Sequence, residues 1–150
     1  QVAGRAARSS KRGEVLIQTE YPEHPLLVSL LNEGYEGFAR AALAEREAAA
    51  WPPFAHVAVL RASGTALPAV IEFLRAARAC ARPPRGLKLL GPAPAGMARR
   101  AARYHAQLLL ESRDREALHR LVGEWLPHVE EVKTPRELRW SLDVDPLDLF

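Results

Sequence analysis

The sequence predicts a mixed α+β chain in two parts: a largely helical stretch to about residue 50, then a part in which strands and helices alternate. Three observations carry this. The run Trp51-Pro52-Pro53-Phe54 interrupts the pattern between the parts, because proline lacks a backbone donor and holds φ near −65°. Before it, apolar residues recur at helical spacing. After it, period-2 and period-3.6 segments follow one another in the order strand, helix, strand, strand, helix, strand. Of the 150 residues, 48% are hydrophobic, enough to bury one domain core with an appendage.

Taken in order, residues 1–8 are expected to end a helix or a helix–loop junction, and Ser9-Ser10-Lys11-Arg12-Gly13 to turn. Glu14-Val15-Leu16-Ile17-Gln18-Thr19 reads as a buried strand. Pro22 and Pro25 break the chain, residues 26–33 fit a short helix closed by Gly34, and residues 35–50 fit a second helix with Phe38, Ala42 and Leu43 on its stripe. Residues 55–61 alternate as a strand. Leu67, Val70, Ile71, Leu74, Ala77 and Ala81 then mark a helix over 66–82. Pro83-Pro84-Arg85-Gly86 turns the chain into a short strand at 87–90, and Gly91-Pro92-Ala93-Pro94-Ala95-Gly96 reads as a loop without regular structure. Residues 104–111 form a strand, Asp114 caps a helix reaching about Val129, and 137–143 is the last strand. That order is the split β-α-β arrangement of ferredoxin-like domains. Right-handed crossovers place both helices on one face of a four-stranded antiparallel sheet and leave the other face open.

Composition excludes some classes. No apolar run approaches the roughly 20 residues of a membrane span, and no signal-peptide pattern occurs, so the reading is a soluble, intracellular protein. The single cysteine, Cys80, lies in an Ala/Arg helical pattern as a small apolar residue and supports neither a disulfide nor a zinc site. His24, His119 and His128 are not spaced as metal ligands, so no metal site is expected. The chain begins at Gln1 and its one methionine is Met97, so it is expected to be a piece of something longer.

The net charge is +3, but its distribution is more informative. Arginines cluster at Arg5/Arg8/Lys11/Arg12, at Arg75/Arg78/Arg82/Arg85 and at Arg99/Arg100/Arg103. Guanidinium forks match phosphate oxygens, although a general Ala/Arg bias produces such clusters without any partner. In Gln1-Val2-Ala3-Gly4-Arg5-Ala6-Ala7-Arg8 the two arginines share one side of a helical turn beside a glycine. Such a pair can neutralise charge on a transferring phosphoryl group, as an arginine finger does, or can simply be a solvated basic helix end. Along the strand that follows Met97-Ala98-Arg99-Arg100-Ala101-Ala102, Arg103, His105 and Gln107 share one face and Tyr104 takes the other. These residues suit DNA phosphates or an acidic peptide with a terminal carboxylate, with Tyr104 available for base stacking. They equally fit a solvated edge. Trp51, Phe54, Phe73, Trp125 and Trp140 read as core residues.

The opening octet resembles motif VI of superfamily 2 helicases. The chain as a whole resembles the PriA family, the primosomal protein N′ replication-restart helicases of bacteria. The carriers are Gln1 to Arg5; Ile17-Gln18-Thr19 with Pro22-Glu23-His24-Pro25; Trp51-Pro52-Pro53-Phe54; Leu90-Gly91-Pro92-Ala93-Pro94-Ala95; Arg103-Tyr104 with Gln107-Leu108-Leu109-Leu110; and Trp140-Ser141-Leu142-Asp143-Val144-Asp145-Pro146. Ala7 and Ala102 depart from it where the family usually has glycine.

The resemblance implies that residues 1–50 end a second RecA-like helicase lobe and that 51–150 form a C-terminal domain binding DNA and partners. Arg5 and Arg8 reach ATP phosphates as the arginine-finger side of the ATP site. Arg99, Arg100, Arg103 and Tyr104 contribute to branched-DNA binding. Arg103 with Gln107 holds the acidic C-terminal tail of single-stranded-DNA-binding protein. The parent is implied to be an ATP-dependent 3′-to-5′ helicase using ATP, Mg and a structural Zn. It meets branched and single-stranded DNA and other primosome proteins, in the bacterial cytoplasm with the nucleoid. No G-x-x-x-x-G-K-[ST] loop or DExH-type acid motif occurs here, so this piece is expected to lack ATPase activity and to carry no cofactor of its own. Competing readings are a non-enzymatic nucleic-acid-binding module and a docking domain that only holds lobes together.

Overall fold

The computed structural model describes residues 16–100 and 102–146. The chain divides into two units, residues 1–45 and 46–150. Glu14, Val15 and the octet with Arg5, Ala7 and Arg8 lie outside the described residues.

In the first unit, residues 16–19 adopt no regular structure, and Leu16 is 88% exposed. The described part of the expected strand over 14–19 is therefore not a strand. A strand needs a neighbour for its N–H and C=O groups, and every strand pairing among the described residues lies between His56 and Val144. α1 (Pro25–Ala48) opens on a proline, where the missing N–H is no loss, and is interrupted at Gly34, with φ 72° and ψ −165°. Glycine enters that region freely, so the two expected helices meet where the sequence places the glycine.

α1 ends within the second unit. Trp51 N–H donates to Arg46 O at 2.7 Å and Ala50 N–H to Glu47 O at 3.0 Å, the paired closure of a Schellman motif. Ala50 occupies its left-handed position with φ 53°, where an L-residue costs about 1–2 kcal/mol. Ala102, just before the third strand, is similarly held at φ 61°. Replacing either residue with glycine is expected to raise stability by about 0.5–1 kcal/mol, the relieved strain exceeding glycine's greater entropy loss. Urea denaturation checks this, and no rise in the midpoint for either variant contradicts it.

The rest of the second unit runs β1 (His56–Gly64), α2 (Leu67–Cys80), β2 (Lys88–Arg100), β3 (Arg103–Ser112), α3 (Arg115–Glu131) and β4 (Arg139–Val144). The four strands form one sheet in the order β2-β3-β1-β4, with every neighbouring pair antiparallel. Alternation along β1 sends Ala58, Leu60 and Ala62 into the core, where Ala106, Leu108 and Leu110 of β3 join them. Val70, Phe73, Leu74 and Ala77 of α2 and Leu118, Leu121, Trp125 and Val129 of α3 cover that face. Asp114 caps α3, its Oδ1 accepting from the N–H of Glu116 at 2.9 Å and of Ala117 at 3.2 Å. Trp125 and Phe73 are core residues, but Phe54 is exposed. It lies in the turn before β1, outside the core cluster.

β2 corrects the expectation of a loop over 91–96. The strand continues through Gly91 and Pro92, joined by a cis peptide bond, to Arg100. It is an edge strand, the position where proline's missing donor is tolerated. The Gly/Pro residues produce irregularities instead of an end. Register shifts fall between Leu90 and Ala93 and between Pro94 and Arg99.

Candidate functional site

On the sheet face away from the helices, alternation places Val57, Val59, Arg61 and Ser63 of β1 beside odd-numbered residues of β3 and β4. Arg61 stands between Gln107 and Ser141, and Ser63 between His105 and Arg139. Val57 and Val59 are buried on this face. Toward the Ser63 end it opens into a groove of ≈ 580 Å³. The groove's polar lining is Arg61, Ser63, His105, Gln107, Arg139 and Ser141, with Ala95 contributed by β2, and among the described residues no carboxylate lines it.

Charges at the site are held in place by the strands. Asp143, beside the groove on β4, accepts from Arg61 Nη1 at 3.1 Å, orienting the guanidinium and neutralising part of its field. Arg139 is exposed at the start of the same strand. Arg103, the first residue of β3, donates through Nη2 to Ser63 O at 3.0 Å and to Glu137 O at 2.7 Å. It therefore stitches the end of β1 to the approach to β4. Thr65 Oγ1 donates to Glu137 Oε2 at 2.8 Å and closes the same corner. The outcome is an oriented, net cationic hollow of a kind that accepts phosphate or carboxylate oxygens.

The predicted residues separate as follows. Gln107 lines the groove. Arg103 shares its strand face, but its guanidinium is turned to two backbone carbonyls. Tyr104 lies on the opposite alternation and is half-buried. Arg99 and Arg100 stand at the hairpin end of β2, paired in register with Tyr104 and Arg103. Arg5 and Arg8 lie outside the described residues. In the middle arginine cluster, Arg82 Nη1 donates to Ala79 O and Ala81 O at the end of α2, and Arg78 Nη1 donates to two carbonyls of β2. Arg61 and Arg139 were not singled out from the sequence, although strand alternation and the break before Arg139 carry the information that places them on this face.

A family model described as Primosomal protein N C-terminal domain matches residues 47–147. Among curated proteins, the replication restart protein PriA of Haemophilus influenzae is 38% identical over 156 residues, covering 99% of this chain and 20% of its own length. The Synechocystis sp. protein of the same name is 34% identical over 153 residues, covering 99% and 18%. That of Bacillus subtilis is 30% identical over 154 residues, covering 97% and 18%. The chain thus spans about a fifth of the length of these relatives. Among solved structures, the de novo designed protein Foldit4 is similar over 59% of this chain and 96% of its own, with a TM-score of 0.43 and 13% identity.

Proposed function

We propose that this chain, which belongs to the Primosomal protein N C-terminal domain family, serves as the C-terminal portion of an ATP-dependent 3′-to-5′ DNA helicase that recognises branched forks and starts primosome assembly in replication restart. In this reading residues 51–150 bind DNA and partners on a ferredoxin-like scaffold, which the strand order β2-β3-β1-β4 supports. Residues 1–50 complete a RecA-like lobe, and Arg5 and Arg8 face the ATP phosphates. In this reading ATP with Mg and the structural zinc belong to the rest of the parent protein, since these 150 residues hold no Walker-type loop and one cysteine.

The observation that carries the reading is the groove on the open sheet face, whose lining among the described residues holds arginine, histidine and glutamine and no carboxylate. Arginines on rigid strands position DNA phosphates. Gln107 among them suits a terminal carboxylate, and its proposed occupant is the acidic tail of single-stranded-DNA-binding protein, with Arg103 at the rim.

Titrating this chain into labelled fork DNA is expected to show binding that weakens linearly on a logarithmic salt axis, without DNA-stimulated ATPase activity. Gln107→Glu sets a negative charge against the peptide carboxylate, and affinity for an acidic tail peptide is expected to fall about tenfold. Equal peptide affinity in wild type and variant removes Gln107 from that site. ATP turnover that survives purification and is lost on Arg8→Ala overturns the incompleteness of the ATP site. A docking domain is the second reading, favoured by Arg78, Arg82 and Arg103 being engaged on backbone carbonyls. Wild-type chain that binds no fork DNA selects it.

A further inference from the structure

Arg78 lies on the last turn of α2, on the opposite side of the sheet from the groove. Its Nη1 donates to Leu89 O at 2.8 Å and also to Gly91 O. The first of these carbonyls precedes, and the second lies within, the first irregularity of β2. Leu90 pairs with Leu109 and Ala93 with Gln107, so Gly91 and Pro92 together face the single residue Leu108. One extra residue in a strand exchanges the two faces of everything beyond it. Leu89 packs against the core, and strict alternation from there carries Ala93 and Ala95 to the helix side. With the bulge, Ala93 stands opposite Gln107 and Ala95 lines the groove.

The bulge needs a specific backbone. Gly91 has φ +103°, and a Cβ there meets Gln107 O at 2.9 Å and Ala93 N at 3.1 Å. Among the described residues, β2 has no neighbouring strand on its outer side to hold its carbonyls. Arg78 supplies those donors from the helix layer.

We infer that Arg78 is a positioning residue: by clamping Leu89 O and Gly91 O it fixes the bulge that brings Ala93 and Ala95 to the groove face and sets the course of β2 toward its hairpin end. The effect on DNA affinity rests on the proposed function, whereas the effect on the backbone does not.

The test compares wild-type chain with Arg78→Met, Arg78→Lys, Gly91→Ala and the Met/Ala double variant by amide exchange and fork-DNA titration. In Arg78→Met, exchange at the non-proline amides of residues 93–100 is expected to accelerate roughly tenfold, while Leu60, Leu108 and Leu121 keep wild-type protection. Fork affinity falls about threefold to tenfold. Gly91→Ala changes no charge and is expected to give the same local pattern, with the double variant no worse than Gly91→Ala alone, because both act through one bulge. Unchanged exchange over 93–100 in folded Arg78→Met overturns the inference. So does an Arg78→Lys variant that restores affinity but not protection, since Arg78 would then act by its charge on phosphate. If wild-type chain fails to bind fork DNA, the DNA reading fails alone and the exchange pattern still decides the role of Arg78.

Discussion

Trp125→Ala is expected to lower stability by about 3–5 kcal/mol, the range for emptying a buried aromatic site. The indole is 1% exposed and sits in the core between α3 and α2, so truncation removes a large apolar volume that close-packed neighbours refill only in part. A second loss is polar. At the end of α2, Ala81 N–H turns to Arg78 O at 3.1 Å instead of reaching Ala77 O. Trp125 Nε1 donates to Ala77 O at 2.8 Å and satisfies it within the core. Trp125→Phe keeps most of the ring but orphans that carbonyl, a penalty of about 1–3 kcal/mol. Urea melts followed by circular dichroism separate the two contributions, with midpoints expected in the order wild type, Phe, Ala and slopes unchanged. A Phe variant as unstable as the Ala variant shows that the hydrogen bond, and not the volume, dominates.

Trp125 also shows how far sequence reasoning reaches. Helical spacing marks it as apolar-facing, and Asp114 before α3 marks the cap that the structure displays. β1, β3 and α2 were legible for the same reason: one face of each is buried, so composition follows periodicity. Gly34 marked the break in α1 because its φ of 72° is one that glycine adopts at little cost. The run from Glu14 to Thr19 misled because periodicity reports side-chain character and says nothing of a pairing partner, and its described residues have none among the strands. The Gly-Pro segment 91–96 misled because the same residues that end a strand in its interior make a bulge at an edge.

The site was legible in part. Alternation alone sets Arg103, His105 and Gln107 on one side of β3, and the structure places His105 and Gln107 in the groove lining. Its other wall comes from Arg61 and Arg139, which become neighbours of that strand only through the register of β1 with β3 and β4. Register is a property of the assembled sheet. What an arginine does is hidden in the same way: Arg78, Arg82 and Arg103 look like phosphate ligands in a string of letters, yet each donates to backbone carbonyls. Ala102 is the converse case. Alanine in place of glycine is a mere difference of letters until its φ of 61° gives it a physical content.

Charge reversal at Arg99, Arg100 and Arg139 is expected to reduce fork-DNA affinity about a hundredfold or more and to flatten the salt dependence by about 3 units of logarithmic slope, near one for each duplex phosphate that is no longer neutralised. Arg139 lines the groove, and Arg99 and Arg100 sit at the hairpin end of the strand that borders it. Arg103 is left intact because a carboxylate there loses two hydrogen bonds and meets the carbonyls of Ser63 and Glu137 instead, which confounds unfolding with binding. The matched control reverses Arg113, Arg120 and Lys133, which are exposed residues. It alters net charge by the same amount, so long-range repulsion of DNA is equal in both triples. If affinity tracks only net charge, the two triples weaken binding alike and the groove is not where DNA binds. If the Arg99/Arg100/Arg139 triple loses both affinity and salt slope while the control loses little of either, phosphate binding is local to the groove and the hairpin end of β2. The uncharged Gln107 and Ser141 are then the residues positioned to add selectivity to a grip that arginine supplies.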